Sequence, residues 1–405
     1  MIKGDRVTAR LEALDRGMRV HRLLWSPQPF RTGSVPWEAE FPGLVAQLET
    51  LSVEEILAID RDPVRHRALV LPHIPELASL DALCTLQPWM PKMSLAALGP
   101  RAQRHISERK WSQVKAFVVA LSDVPAPVCR TIEWCAGKGH LGRTLSIATE
   151  MPVVCLERDN ALCVAGQHLA DRAGAAVQMV CHDVLHDTVQ GYLLQGHHAV
   201  ALHACGHLHR HLLQRAAQTP IAAVSLAPCC YHLGEPEGAY RPHSEWVRQQ
   251  GLALHSDEVR LAMQGHGTTS RRRLDLHLRG RAWRLAYDAL QRDVRGMDQH
   301  VRIPPVPRRV LRGRFEDFIR TVAQQDKLEL PVAWSPERLL RMGEARLKRV
   351  MALELVRHLF RRPLELWLVL DRAQMLRESG FQVEVGTFCH RRWTPRNIMI
   401  QAHRA

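Results

Sequence analysis

The chain has 405 residues, 46% hydrophobic and 24% charged, which excludes a disordered segment, a collagen-like repeat or a small cross-linked scaffold and suggests two to three domains. No apolar run reaches the ~18 residues a membrane-spanning helix needs. The stretch Met1–Gly17 is charged throughout and lacks the apolar segment of a secretory signal, so the expected location is cytoplasmic. Lys plus Arg number 55 against 41 Asp plus Glu, a net charge of +14, and only seven of the basic residues are Lys. A GC-rich genome accounts for Arg over Lys but not for the excess, which points to a polyanionic partner. Ten Cys are present without a C-x-x-C pair or a zinc-finger spacing, as expected of reduced thiols.

Residues 1–125 read as helix and loop. Pro-rich turns (Ser26–Pro29, Val35–Trp37, Phe41–Gly43) precede an amphipathic stretch over Leu44–Ile59. A second helical pattern spans Arg101–Leu121 and ends at the linker Asp123-Val124-Pro125-Ala126-Pro127. The texture then changes to short apolar runs alternating with helical segments. Strands are expected at Thr131–Cys135, Pro152–Glu157, Val177–Cys181, His198–His203 and Ala222–Ala227, with helices from His140 and over Ala161–Ala173. Such alternation means crossover units and a mostly parallel sheet. From Gly234 to Arg362 the pattern is helical and Arg-rich, with 14 Arg against six acids between Arg271 and Arg320. Pro363 opens a helix through Leu376, Gly380 stands at a C-terminal cap, and Phe381–Phe388 and Asn397–Ala402 read as two last strands.

The most informative local signal is Glu133-Trp134-Cys135-Ala136-Gly137-Lys138-Gly139-His140-Leu141-Gly142, which follows a strand and opens a helix. Gly137 and Gly139 let backbone approach a ligand. Glu157 ends the next strand, where a carboxylate can accept hydrogen bonds from ribose hydroxyls, and Asp183 follows the third strand in the same manner. Acids at three successive strand tips fit S-adenosylmethionine, which carries a ribose and a cationic methionine end but no pyrophosphate. Gly142 completes a G-x-G-x-x-G in form, so a dinucleotide is the competing reading. Glu133 directly before the turn, and the lack of a second nucleotide-binding half, favour S-adenosylmethionine.

With these residues in view, Glu133–Gly142 resembles motif I of class I methyltransferases. More narrowly, the chain is similar to the branch containing the eukaryotic tRNA 2′-O-methyltransferases of the acceptor stem and related methyltransferase-like proteins. His203-Ala204-Cys205-Gly206 looks like that branch's H-x-C-G, and Pro228-Cys229-Cys230-Tyr231-His232 like its double-cysteine motif. Leu370-Asp371-Arg372 with Thr394-Pro395-Arg396-Asn397 resembles its closing segment. The resemblance covers roughly Arg104–Glu235 and Arg361–Arg404. Three departures stand out: Cys135 where many members have Gly, His207 where relatives often carry Asp, and Ser112-Gln113 in place of a His-Glu pair.

The resemblance implies a cofactor pocket of Glu133, Cys135, Gly137, Gly139, Glu157, Asp183 and His203, with His203, Cys229, Cys230, Tyr231 and His232 as the catalytic-side residues. A His can serve as base for a hydroxyl or amine nucleophile. A Cys nucleophile acting on a pyrimidine ring is a second mechanism, and small apolar filler is the structural alternative for the Cys pair. A metal held by His203, Cys205, His207, His209 and His211 with Cys229 and Cys230 is a third reading, and no metal is expected, because a helix after Gly206 would scatter the histidines. Arg241, Arg271–Arg273, Arg308, Arg309, Arg312 and Arg314 form the candidate anion surface. Trp111, Trp246, Trp283 and Trp393 are either stacking platforms or core.

The sequence is thus read as an α/β chain built on a Rossmann-like class I methyltransferase sheet. A helical extension occupies 1–125, the first part of the core 126–235, a basic helical insertion 236–362, and the last helix and two strands 363–405. The expected activity is S-adenosylmethionine-dependent methylation of RNA, tRNA or rRNA first. A protein methyltransferase and a catalytically inactive S-adenosylmethionine- or RNA-binding module are the alternatives.

Overall fold

The computed structural model describes residues 1–89, 98, 100–103, 105–122, 124, 126–235, 238–265 and 270–404; Arg104 of the expected helix and Asp123 and Pro125 of the expected linker lie outside them. The chain divides into two compact units. One comprises Met1–Val20, Ser79–Met263 and Arg361–Ala405, the other His21–Ala78 and Gln264–Phe360.

The first unit is built on eight strands: β1 (Ile2–Lys3), β2 (Arg130–Trp134), β3 (Val153–Glu157), β4 (Val177–Cys181), β5 (His197–Cys205), β6 (Ala223–Cys229), β7 (Gln382–Thr387) and β8 (Ile398–His403). Their order is β1-β7-β8-β6-β5-β2-β3-β4. Strands β2 to β6 run parallel; β8 lies antiparallel to β6, β7 antiparallel to β8, and β1 antiparallel to β7. This is the expected Rossmann-like sheet, and the two C-terminal strands rejoin it beside β6. The edge strand β1 falls where the sequence reads as helix and loop, since two residues are too few to show a period. Strand β6 is buried at every position, as a central parallel strand covered on both faces must be. Because β2 has β3 on one side and β5 on the other, the chain reverses its direction of winding there. Ligands of open α/β sheets bind at the carboxyl ends of the strands at such a point.

Local chemistry sets the helices. In Asn160–Ala173, Asp159 Oδ1 accepts from the N–H groups of Ala161 and Leu162 at 2.9 and 3.2 Å, capping the N-terminus. The stretch Leu44–Ile59 is two helices, Pro42–Thr50 and Val53–Arg61. Ser52 Oγ accepts the Glu55 N–H at 3.2 Å while the Glu55 carboxylate accepts the Ser52 N–H at 2.8 Å, a capping box that starts the second. The pattern over Arg101–Leu121 likewise resolves into Pro100–Gln103 and Glu108–Leu121, with His105 at φ 62° between them.

The second unit is helical. Arg271–Arg295 packs on Pro336–His358, where Gly343 permits the approach: a Cβ there would stand 2.4 Å from the Ala282 carbonyl oxygen. Buried Asp288 receives Arg292, Arg346 and His300 at 2.9, 2.8 and 2.7 Å, and Arg281 pairs with Glu354 at 2.7 Å. Part of the basic excess of this region is therefore engaged internally.

The boundaries differ from the expected ones in two places. The stretch 1–125 contributes to both units, and 238–263 belongs to the sheet unit rather than to an insertion beginning at 236. The cause of the second is Asp371, fully buried in the helix Arg361–Glu378. Its carboxylate accepts from Tyr240 Oη (2.6 Å), His243 N (2.9 Å), Ser244 N and Ser244 Oγ (both 2.8 Å). Its neighbour Arg372 donates to His209 Nε2 (2.9 Å) and Tyr240 Oη (3.0 Å), so the last helix is tied to the helix that follows β5. Asp371→Ala leaves several buried donors unpaired and should cost roughly 3 kcal/mol or more. Urea denaturation of variant and parent checks this; equal midpoints would refute the assignment.

Candidate functional site

The site is assembled at the carboxyl ends of β2, β3, β5 and β6. After β2 the chain turns through Cys135 (φ 57°), Gly137 (φ 58°) and Gly139 (φ 60°) into the helix His140–Thr149. Glu133 is buried, and its Oε2 accepts the Gly142 N–H at 2.8 Å and the Cys155 thiol at 3.1 Å. A Cβ at position 142 would lie 2.4 Å from Cys155 Sγ and 2.8 Å from Glu133 Oε2. Gly142 thus lets the helix settle directly onto β2 and β3, and Glu133 fixes the turn from beneath.

Glu157, half-buried at the end of β3, accepts the Gly137 N–H on Oε2 at 2.9 Å and the Asp159 N–H on Oε1 at 3.0 Å. A Cβ added at Gly137 would meet nothing within 4 Å, so that side of the turn is open. At Gly139 the same atom would stand 2.9 Å from Met179 Sδ, so this glycine answers to packing. Asp183 is exposed, and its Oδ1 accepts the Leu185 N–H at 3.0 Å.

Strand β5 carries a register shift between Leu202 and Cys205, with His203 in the left-handed region at φ 65°. His203 Nε2 lies 2.9 Å from Gln113 Oε1, while Gln113 Nε2 donates to the Trp393 carbonyl at 2.7 Å. That second bond orients the amide, so Gln113 Oε1 is an acceptor and His203 Nε2 must be the donor. The neutral ring therefore keeps its lone pair on Nδ1. Burial, with Lys110, Arg396 and Arg109 nearby, pulls the His203 pKa down to about 4, so the ring is neutral at pH 7. Beyond β5, Gly206 (φ 52°) packs against the turn after β6: a Cβ there would stand 2.2 Å from the Leu233 carbonyl oxygen. This contact accounts for the glycine in His203-Ala204-Cys205-Gly206.

Strand β6 ends in Cys229, buried, and Cys230, half-buried with φ 49°. Tyr231 turns into the core: it is 1% exposed, donates to the Pro228 carbonyl at 3.3 Å and has the Arg372 guanidinium 5.0 Å from its ring centre. His232 is half-buried, and among the described residues its Nδ1 has no hydrogen-bond partner. The histidines after Gly206 are indeed dispersed by the helix His207–Gln218. His207 is exposed, His209 is buried against Ala204 and Arg372, and His211 stacks on Trp134. Cys205, by contrast, joins Cys229 and Cys230. Trp111 and Trp283 are buried core residues, whereas Trp246 and Trp393 are half-buried.

Sequence reasoning left Gln113 outside the candidate set, although its signal was present: a polar residue on a helix whose buried neighbours are Trp111, Val114 and Phe117. Arg109 and Lys110 carried no comparable signal, and Arg396 was singled out only within the closing segment; only the fold brings these three near His203.

Residues 109–235 match the sequence profile of a family of methyltransferase domains. Over this segment the chain is similar to methyltransferase domains. Such domains draw their methyl group from S-adenosylmethionine. Among solved structures, the chain is similar to a sarcosine dimethylglycine methyltransferase, titled putative, from Galdieria sulphuraria, at 14% identity over 29% of this chain and 44% of that one, with a TM-score of 0.24. It is similar to TrmN from Thermus thermophilus at 17% identity over 38% and 48%, TM-score 0.26. It is also similar to an rRNA methylase from Streptococcus thermophilus at 9% identity over 30% and 73%, TM-score 0.23. The chain spans less than half the length of the first two. Among the described residues, no helix is long and apolar enough to cross a membrane.

Burial raises the Glu133 pKa from 4.5 to about 7, against the opposing bonds from Cys155 and Gly142. Between those values the folded state holds a proton that the unfolded chain has released, so stability falls as pH rises through this window. Glu133→Gln, a neutral isostere, removes the titration. Between about pH 5 and pH 8 it should lose less stability than the parent, by up to roughly 3 kcal/mol. Parallel pH dependences in urea denaturation would refute the assignment.

Proposed function

We propose that this chain is an S-adenosylmethionine-dependent methyltransferase acting on RNA, tRNA or rRNA first. The observation that carries the cofactor reading is the pair Glu157–Gly137: a strand-tip carboxylate bonded to a glycine turn whose other side is open. A carboxylate oxygen has two lone pairs, so Glu157 keeps acceptor capacity for a ribose diol after binding the Gly137 and Asp159 N–H groups. Asp183 and Cys135 flank that position, Gly137 and Gly139 shape the backbone beneath the ligand, and Glu133 acts indirectly by holding the helix through Gly142. On the methyl side we place His203, Cys230 and His232, with Cys229 and Tyr231 supporting them from within.

Bound S-adenosylmethionine supplies an already activated methyl group, so the work of the chain is alignment. His203 is fitted to orient an incoming hydroxyl or amine. Gln113 holds its Nε2–H, the ring is neutral, and the Nδ1 lone pair can accept the nucleophile's hydrogen bond and proton. A polyanionic substrate is favoured by Arg109, Lys110 and Arg396 around His203. It is favoured too by Arg271, Arg272, Arg273, Arg308, Arg309 and Arg312, which are exposed and make no ion pair with a described residue.

The deciding experiment mixes the protein with methyl-labelled S-adenosylmethionine and an extract from cells lacking it. Label in a nuclease-sensitive fraction is expected; label in a protease-sensitive fraction would replace RNA by a protein substrate. No label together with no cofactor binding would leave a catalytically inactive module. Glu157→Gln keeps an acceptor for Gly137 but loses one for the diol, and should weaken S-adenosylmethionine binding roughly 10-fold or more, read by calorimetry. Unchanged affinity would remove the ribose assignment. RNA affinity should fall steeply with salt, and replacing Arg271, Arg272 and Arg273 by Ser should reduce the log–log slope by up to about 3; an unaltered slope would exclude these arginines from the contact.

A further inference from the structure

Three thiols meet at the ends of β5 and β6. Cys205 and Cys229 are register partners on adjacent parallel strands, so their side chains leave the sheet on the same face, with the sulfurs 3.4 Å apart. Strand alternation would send the next residue, Cys230, to the opposite face. Its left-handed backbone (φ 49°) reverses that, and all three Sγ atoms lie within 4.8 Å of one another. Among the described residues this is the one group of three His, Cys, Asp or Glu side chains whose donor atoms come so close. Cysteines used as small apolar filler have no need of a left-handed backbone that turns a third thiol toward two others. Such a conformation at a non-glycine residue costs of order 1–3 kcal/mol and persists where the surroundings enforce it.

We propose that Cys205, Cys229 and Cys230 bind a thiophilic divalent ion, zinc, through three thiolates. Sulfurs at ~2.3 Å from a tetrahedral zinc stand ~3.8 Å from one another, a spacing this cluster reaches with small side-chain adjustments. Zinc needs a fourth donor, which a water or a re-oriented His232 can supply: His232 stands two residues beyond Cys230, its Nδ1 has no hydrogen-bond partner among the described residues, and it lies outside the 4.8 Å group of sulfurs. Two of the ligands stand on paired strands of the sheet, whose backbone holds them in register. Binding releases the thiol protons to solvent as the thiolates coordinate. The assignment rests on the geometry of β5 and β6 and not on the methyl-transfer reading.

The test uses the full chain, reduced and stripped of metal, titrated with Co²⁺ and then with Zn²⁺. One cobalt per chain is expected, with the near-ultraviolet charge-transfer band of cobalt thiolates, displaced by one equivalent of zinc. Cys205→Ser and Cys230→Ser should each weaken binding more than tenfold, whereas Cys181→Ser on β4 should leave it unchanged; circular dichroism establishes that each variant is folded. The absence of a thiolate band with all ten cysteines reduced would overturn the proposal, even if oxidation joins Cys205 to Cys229. A band persisting in folded Cys205→Ser and Cys230→Ser would also overturn it. Methyl-transfer results of either sign leave this outcome untouched.

Discussion

Cys135, His203 and Cys230 stand at the carboxyl ends of β2, β5 and β6, the three adjacent strands at the middle of the sheet, and all three have positive φ. An L-residue with a side chain resists that conformation, so each end must be held by something stronger than its own preference. The means differ. At β2 the helix His140–Thr149 is pressed onto the sheet through Gly142 and anchored by the Glu133 carboxylate. At β5 the register shift gives His203 its direction and Gln113 holds the ring. At β6 the turn is closed by the Leu233 N–H bonding to the Cys230 carbonyl at 2.9 Å, with Gly206 against Leu233. The reactive side chains of the proposed site are placed by these backbone turns before any ligand arrives.

Behind the turns lies a polar layer that is wholly buried. Arg372 reaches His209 and Tyr240, Asp371 gathers Tyr240, His243 and Ser244, and Tyr231 packs on the Arg372 guanidinium. Taking an arginine and an aspartate out of water is costly unless nearly every donor and acceptor is matched. Here the match is made by residues from four parts of the chain: the end of β6, the helix after β5, the segment 240–244 and the last helix. A network of that kind specifies one arrangement of those parts, which is what a site built from separate strand tips requires. It also explains why the last helix returns to the sheet after the excursion through the second unit.

Much of the sheet was legible because hydrophobic runs and their punctuation are local properties. The expected strands at Thr131–Cys135, Val177–Cys181 and Phe381–Phe388 agree with β2, β4 and β7 to within a residue or two. What local pattern cannot carry is a deviation imposed from elsewhere. The setting of His203 depends on Gln113, 90 residues earlier in the chain, and the meeting of Cys230 with Cys205 depends on a backbone that breaks the period of two. The division of the N-terminal residues between two units depends on contacts more than 200 residues distant in sequence, such as Asp15 Oδ1 accepting from Trp367 Nε1 at 3.0 Å. The basic excess was likewise visible only as a total. Burial shows that Arg281, Arg292 and Arg346 serve acids inside the second unit while Arg271–Arg273 face solvent.

The proposed cofactor side and the thiol side of the strand tips ask for opposite electrostatics. Glu157 and Asp183 make the β3–β4 end acidic, suited to ribose hydroxyls and a cationic ligand. Arg109, Lys110 and Arg396 make the β5 end basic, suited to an incoming anion and to thiolates. His203 sits at the basic end, and its low pKa follows from burial and the cations beside it. A charged imidazolium there would repel the neighbouring cations, and it would have no lone pair for a nucleophile. Holding the ring neutral through Gln113, rather than through a carboxylate, avoids raising its pKa. The amide at position 113 is therefore the choice that keeps His203 a neutral acceptor beside its cations, and a glutamate in its place would raise the ring's pKa.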